Sequence, residues 1–121
     1  MGANTLYLVF SNPIDGKESE FNEWYDNVHL REVLATAGMV SAQRYTVRET
    51  EIDRLLGTTP AHRYCVVYEM SDDPDIVMGK IQAAVAAGDI HMHDALDLST
   101  FSMSFWSPYG PKLESQPGLT S

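Results

Sequence analysis

Along residues 20–38, EFNEWYDNVHLREVLATAG, the apolar side chains of a helical stretch change sides partway. Phe21, Trp24, Tyr25 and Val28 share one face at the i, i+3, i+4, i+7 spacing. Beyond His29 the apolar positions Leu30, Val33, Leu34 and Ala37 lie roughly opposite. One straight helix cannot bury both sets against one sheet. The pattern therefore predicts a kink or break near His29 to Arg31, then a second short helical piece ending at Gly38.

The remaining segments supply the sheet and its cover. Residues 5–11 (TLYLVFS) form a short run with apolar groups on both phases, Leu6, Leu8 and Phe10 on one and Tyr7 and Val9 on the other. That is a strand covered on both faces. Asp15-Gly16-Lys17-Glu18 spells a helix start, with Asp15 as N-cap and Glu18 as its reciprocal partner. Residues 39–49 read as a strand, and residues 50–61, with charges, a glycine and a proline, as a mobile connection. Residues 62–70 (HRYCVVYEM) form a third strand, with His62, Tyr64, Val66 and Tyr68 on one phase. Asp73-Pro74 starts a second helix whose stripe is Val77, Ile81, Ala84 and Val85, and Gly88 closes it. Residues 100–106 alternate Phe101, Met103 and Phe105 with serines, the last strand. The order strand, helix, strand, strand, helix, strand predicts an α+β, ferredoxin-like βαββαβ domain over residues 1–110. Its four-stranded antiparallel sheet carries both helices on one face. Residues 111–121 read as an extended or disordered tail.

The apolar second phase of the first and last strands predicts that the bare face of the sheet is not left to solvent. Packing two such sheets together in a homodimer supplies a cover. Composition narrows the partners further. With 17 acidic against 8 basic side chains and a net charge of −9, the surface repels nucleic acid and anionic membranes. No apolar run approaches the ~18 residues needed to span a bilayer. The N-terminus lacks a secretory leader pattern, and one cysteine, Cys65, fits a reducing compartment. A cytoplasmic domain is expected.

His29 is the strongest chemical candidate, because an imidazole exchanges protons near neutral pH. Tyr25 and Asp26, four and three residues earlier, can lie beside it on a helix, Asp26 as the orienting carboxylate. Trp24, Tyr64, Tyr68 and His62 are candidate walls for an apolar ligand, though aromatics at helical spacing also serve as plain core. His91 and His93 fall on one side of an extended segment, a spacing some metal sites use, but no third ligand is near in sequence and a surface loop is the simpler home. No metal and no cofactor are expected. Cys65, without a cationic neighbour in sequence, reads as inert packing. There is no phosphate-cradling glycine loop and no nucleophile elbow.

Trp24, Tyr25, His29, Val33, Leu34 and Gly38, followed by the strand Val40-Ser41-Ala42-Gln43-Arg44-Tyr45, resemble the helix signature of the EthD-like proteins of the dimeric α/β-barrel group. Those relatives often carry proline two residues after the histidine, where this chain has Arg31. The resemblance implies homodimers with a pocket inside each subunit. It also implies roles ranging from cofactor-free oxygenation, decarboxylation, dehydration or isomerisation of aromatic and polyketide-like molecules to proteins with no assigned activity, with haem binding in distant relatives. Fold analogy does not choose among them. The expectation is a cofactor-independent enzyme using His29 for acid/base chemistry on an apolar small molecule, of lyase, dehydratase or isomerase type, with oxygenation open. The alternative is a non-catalytic ligand-binding or accessory protein.

Overall fold

A computed structural model describes residues 4–117. The elements run β1 (Thr5–Pro13), α1 (Glu18–Trp24), a π-helical turn (Tyr25–His29), α2 (Leu30–Leu34), β2 (Met39–Thr46), α3 (Glu51–Leu56), β3 (Tyr64–Met70), α4 (Pro74–Ala87) and β4 (Leu96–Trp106). The four strands form one sheet in the order β2-β3-β1-β4 with every neighbouring pair antiparallel. This is the expected ferredoxin-like arrangement.

Register assigns the two faces. Tyr7 pairs with Tyr68 and Phe105, and Val9 with Val66 and Met103, so these residues share the face covered by the helices. Tyr7, Val9, Val66, Tyr68 and Met70 are buried there against Phe21, Trp24, Tyr25, Val33 and Val77. Leu6, Leu8 and Phe10 point to the other face with Cys65, Val67, Tyr45 and Trp106. Tyr45 and Trp106 are 53% and 57% exposed in the single chain.

The start of α1 differs from the sequence expectation. Asp15 does not cap it. Lys17 N–H donates to the Ile14 carbonyl at 2.9 Å across a turn whose Gly16 has φ +82°. The helix starts at Glu18 without a side-chain cap. The glycine turn satisfies the backbone that a capping box would have served. Residues 50–61 also differ, because they contain α3. Thr50 and Asp53 form a reciprocal capping box, and Gly57 ends the helix at φ +68°. Ile52, Leu55 and Leu56 stay 60%, 80% and 70% exposed, so no buried stripe advertised the helix in the sequence. β2 and β3 are shorter than expected, and β4 begins earlier, at Leu96.

The second long helix matches its prediction. Asp73 accepts from the Asp75 N–H, Pro74 occupies the first turn, and Gly88 at φ +83° closes α4. Of the expected tail, residues 111–117 run exposed without helix or strand, and residues 118–121 lie outside the described residues. No described helix is long and apolar enough to cross a membrane.

Candidate functional site

The change of side inside the first helical segment is achieved without a break. At the π-turn the Leu30 N–H donates to the Tyr25 carbonyl, five residues back. One widened turn shifts all later positions around the axis while the backbone stays helical. Its consequence is visible in two side chains. Val28, expected in the apolar stripe, is exposed, and His29 turns inward instead. In a regular α-helix residues five apart point about 140° from each other. Here Trp24 and His29 stack with ring centroids 4.5 Å apart and an interplanar angle of 28°. Tyr25 meets the same imidazole edge-on at 5.3 Å.

His29 lines a cavity of about 310 Å³ between the sheet and the helices. Tyr7, Val9, Tyr25, Tyr68, Ile81 and Met92 contribute most of its character, and Gln82 adds an amide. The walls are mainly apolar. The His29 Nδ1 atom is buried and has no hydrogen-bond partner among the described residues. Burial lowers the His29 pKa from 6.5 to about 4, against smaller opposing effects of the His91 backbone and the Glu32 charge. The ring is therefore a neutral imidazole at physiological pH.

The three tyrosines around it are held as phenols. Burial raises Tyr7 to about 12, helped by the neighbouring Tyr25. Burial likewise raises Tyr25, partly offset by the Ser11 hydroxyl and the Arg44 charge, and raises Tyr68 well above the ordinary phenol value. The Tyr7 hydroxyl donates to Met103 Sδ at 3.0 Å, and its ring stacks on Tyr68 at 5.2 Å.

Four of the expected site residues thus come together: His29, Tyr25 and Tyr68 on the cavity and Trp24 behind the imidazole. Three do not. Asp26 is turned to Arg44, whose Nη1 donates to it at 2.9 Å, and it does not hold the His29 ring. Tyr64 lies away from the cavity, bonded to Glu18 and accepting from Asn22 at 3.2 Å. His62 sits in the loop just before β3, hydrogen-bonded to the Thr100 carbonyl at 2.7 Å, with its ring against Phe10. His91 and His93 do not converge either: His91 Nδ1 donates to Glu32, and His93 Nδ1 accepts from the Ala95 N–H. No group of three or more His, Cys, Asp or Glu among the described residues could hold a metal ion.

Sequence reasoning missed Tyr7, Val9, Met92, Gln82 and Phe101 as cavity walls. The strand alternation of β1 and the stripe of α4 carried that signal for Tyr7 and Val9 and for Ile81. Ile90 and Met92 lie on the loop after α4, where no periodicity operates. Arg44 was also missed. Its guanidinium lies 4.7 Å from the Tyr25 ring centroid and 5.2 Å from that of Tyr64, and it also bonds Asn22 at 2.8 Å. A cation over aromatic faces, on a strand that otherwise reads as half-exposed, locks α1 to β2.

The lowered His29 pKa makes stability depend on pH in a defined direction. The folded chain refuses a proton that the unfolded chain accepts below pH 6.5. Stability is therefore complete above that pH and falls by roughly 1.4 kcal/mol per pH unit until about pH 4, where both states are protonated. Between pH 7 and pH 5, urea denaturation is expected to show wild type losing about 2 kcal/mol more than His29→Gln. Parallel losses in the two proteins would contradict the buried neutral ring.

No protein-family model matches the chain, and no curated protein matches it. Among solved structures it is similar to an EthD (ethyl tert-butyl ether) family protein from Bacillus halodurans C-125. The TM-score is 0.53 at 10% sequence identity, over 88% of this chain and 99% of that one. At such low identity the likeness is one of backbone, and it extends over nearly the whole domain. By fold, this chain resembles the EthD family protein.

Proposed function

We propose that this chain is a small cofactor-independent enzyme that binds a compact aromatic or otherwise apolar molecule beneath the π-turn and moves a proton on it with His29. The observation that carries this reading is the buried, unpartnered Nδ1 of a neutral imidazole on an apolar cavity wall. A neutral ring is already in the base form, and apolar walls offer little to hold a water that would compete for its lone pair. Phenols held protonated by burial are donors, so Tyr25 and Tyr68 suit an oxygen on which charge develops as the proton leaves. A base beside such donors fits abstraction next to a carbonyl, the first step of lyase, dehydratase or isomerase chemistry. Oxygenation of the same carbanion is the remaining outcome. A volume near 310 Å³ is at the low end of ligand pockets and favours one or two rings over a large polycycle.

The alternative is a non-catalytic binding protein. It is favoured by the same low pKa, which leaves His29 a weak base, and by the Trp24 stack, which suits a rigid wall. A panel of small aromatic ketones and phenols separates the readings, with binding followed by thermal shift and conversion by mass spectrometry. For a converted compound, His29→Ala is expected to lower turnover by about 10²-fold or more while the circular dichroism spectrum is unchanged. Binding without conversion by wild type would favour the accessory role, and undiminished turnover by His29→Ala would remove the catalytic assignment.

A homodimer belongs to the same proposal. Leu6, Leu8, Phe10, Val67, Tyr45 and Trp106 make the face opposite the helices apolar, and sheets bearing such faces pack about 10 Å apart. Sedimentation velocity is expected to give twice the chain mass at micromolar concentration. A species of single-chain mass would count against it.

A further inference from the structure

With Asp26 engaged by Arg44, something else must set the aim of the His29 ring. One residue of the loop after α4 is held at three atoms by the helical segment that carries His29. The His91 N–H donates to Glu32 Oε1 at 2.7 Å, and the His91 Nδ1–H donates to Glu32 Oε2 at 2.6 Å. The His91 carbonyl accepts from Trp24 Nε1 at 3.0 Å. Glu32 lies on α2 and Trp24 on α1, one on each side of the π-turn. The residues flanking His91 in the chain, Ile90 and Met92, are cavity walls, and Trp24 is the ring on which His29 stacks. An exposed loop residue with both main-chain polar atoms and its ring nitrogen satisfied by side chains of one helical segment is a clamp, because each bond restricts a different rotation.

We propose that Glu32 is the positioning residue of the site: by clamping His91 it fixes the cavity-wall loop and the Trp24 indole, and through them the orientation of the His29 imidazole. The inference rests on the proposed role of His29, but the geometry it asserts can be measured without a substrate. Glu32 does not line the cavity and so acts through its neighbours. The backbone of His91 and the negative charge of Glu32 also oppose the lowering of the His29 pKa, which places both beside that ring. The other titratable groups packed round it are Tyr25 on its own helix, Tyr7 and Tyr68 from the sheet, and His93, whose ring lies 6.1 Å from Trp24. Among the described residues, only Glu32 joins the loop to the helix through two bonds.

The test compares Glu32→Ala, Glu32→Gln and His91→Ala by amide hydrogen exchange and by ¹⁵N and ¹³C spectra of the imidazoles. In Glu32→Ala the His91 amide is expected to exchange at least about tenfold faster, and the His29 ring signals to shift and broaden. Glu32→Gln keeps an acceptor for the His91 N–H and removes the charge. It should retain most of the protection while lowering the His29 pKa further. His91→Ala keeps the N–H and the carbonyl and should leave the His29 signals near wild type. Faster loop exchange with unchanged His29 signals in Glu32→Ala would overturn the proposal, as would unchanged exchange at His91 in that variant. Should Glu32→Ala fail to fold, Glu32→Asp, which keeps the charge on a side chain one methylene shorter, takes its place with the same expected and contradicting results. With a converted substrate, Glu32→Ala is expected to reduce kcat with little change in KM. Absence of any substrate would weigh against the enzymatic reading and leave the spectroscopic outcome intact.

Discussion

Phe21→Ala is expected to destabilise the fold by about 3–5 kcal/mol, measured by urea denaturation at pH 7. Phe21 is 0% exposed and touches the site on several sides. Its ring lies 5.1 Å from Tyr25, 5.4 Å from Tyr64 and 6.5 Å from Trp24, with the Arg44 guanidinium at 5.6 Å. Truncation leaves a void that rigid rings cannot collapse into, so the loss belongs at the upper end for a buried aromatic. It also removes the support beneath Trp24 and Tyr25, which frame His29. Phe21→Leu, filling most of the volume, is expected to lose less than half as much. A loss below 1 kcal/mol for the alanine variant would mean that α1 does not pack as described.

Gly38→Val is expected to cost roughly 3 kcal/mol or more, by two separate effects. Gly38 has φ +97°, a conformation that a β-branched residue adopts only under strain. A Cβ there would also lie 2.7 Å from Val77 Cγ2 and 3.1 Å from Asp72 Cβ. Val77 is fully buried at the start of α4, so it has nowhere to retreat. The pair fixes how closely the turn after α2 approaches α4, and both helices contribute walls to the cavity. Gly38→Ala in a Val77→Ala background, compared with Val77→Ala alone, separates the effects: the Val77 contact is relieved and the backbone strain is kept. Equal stability of wild type and Gly38→Val would refute the close approach.

Much of this arrangement was legible in the sequence where a pattern repeats. Alternation in β1 and β3, with the capped stripe of α4, carried the element order and so the ferredoxin-like sheet. The phase change after Val28 signalled that the first helix must bury two faces, but periodicity registers only that sides switch. A kink and a π-turn satisfy it equally, and only the π-turn exposes Val28 and turns His29 inward. Strand phase gave Tyr64 and Tyr68 the same face without saying how far along it the cavity lies. Tyr68 reaches the cavity, whereas Tyr64, four residues earlier, stands over Arg44 at the other end. Helical adjacency likewise offered Asp26 to His29, and a longer-range cation took it. α3 was hidden because its leucines stay exposed, although the Thr50 and Asp53 spacing was there to be read. The clamp between Glu32 and His91 joins residues 59 positions apart and has no local signature.

The most direct test of the whole account is the titration of His29 itself. In two-dimensional ¹H–¹⁵N spectra of imidazole-labelled protein, with His29→Gln providing the assignment, the ring is expected to remain neutral down to about pH 4 and to shift when a small aromatic ligand fills the cavity. A His29 that titrates near 6.5 and ignores such ligands would be a solvent-facing histidine, and the site described would not exist.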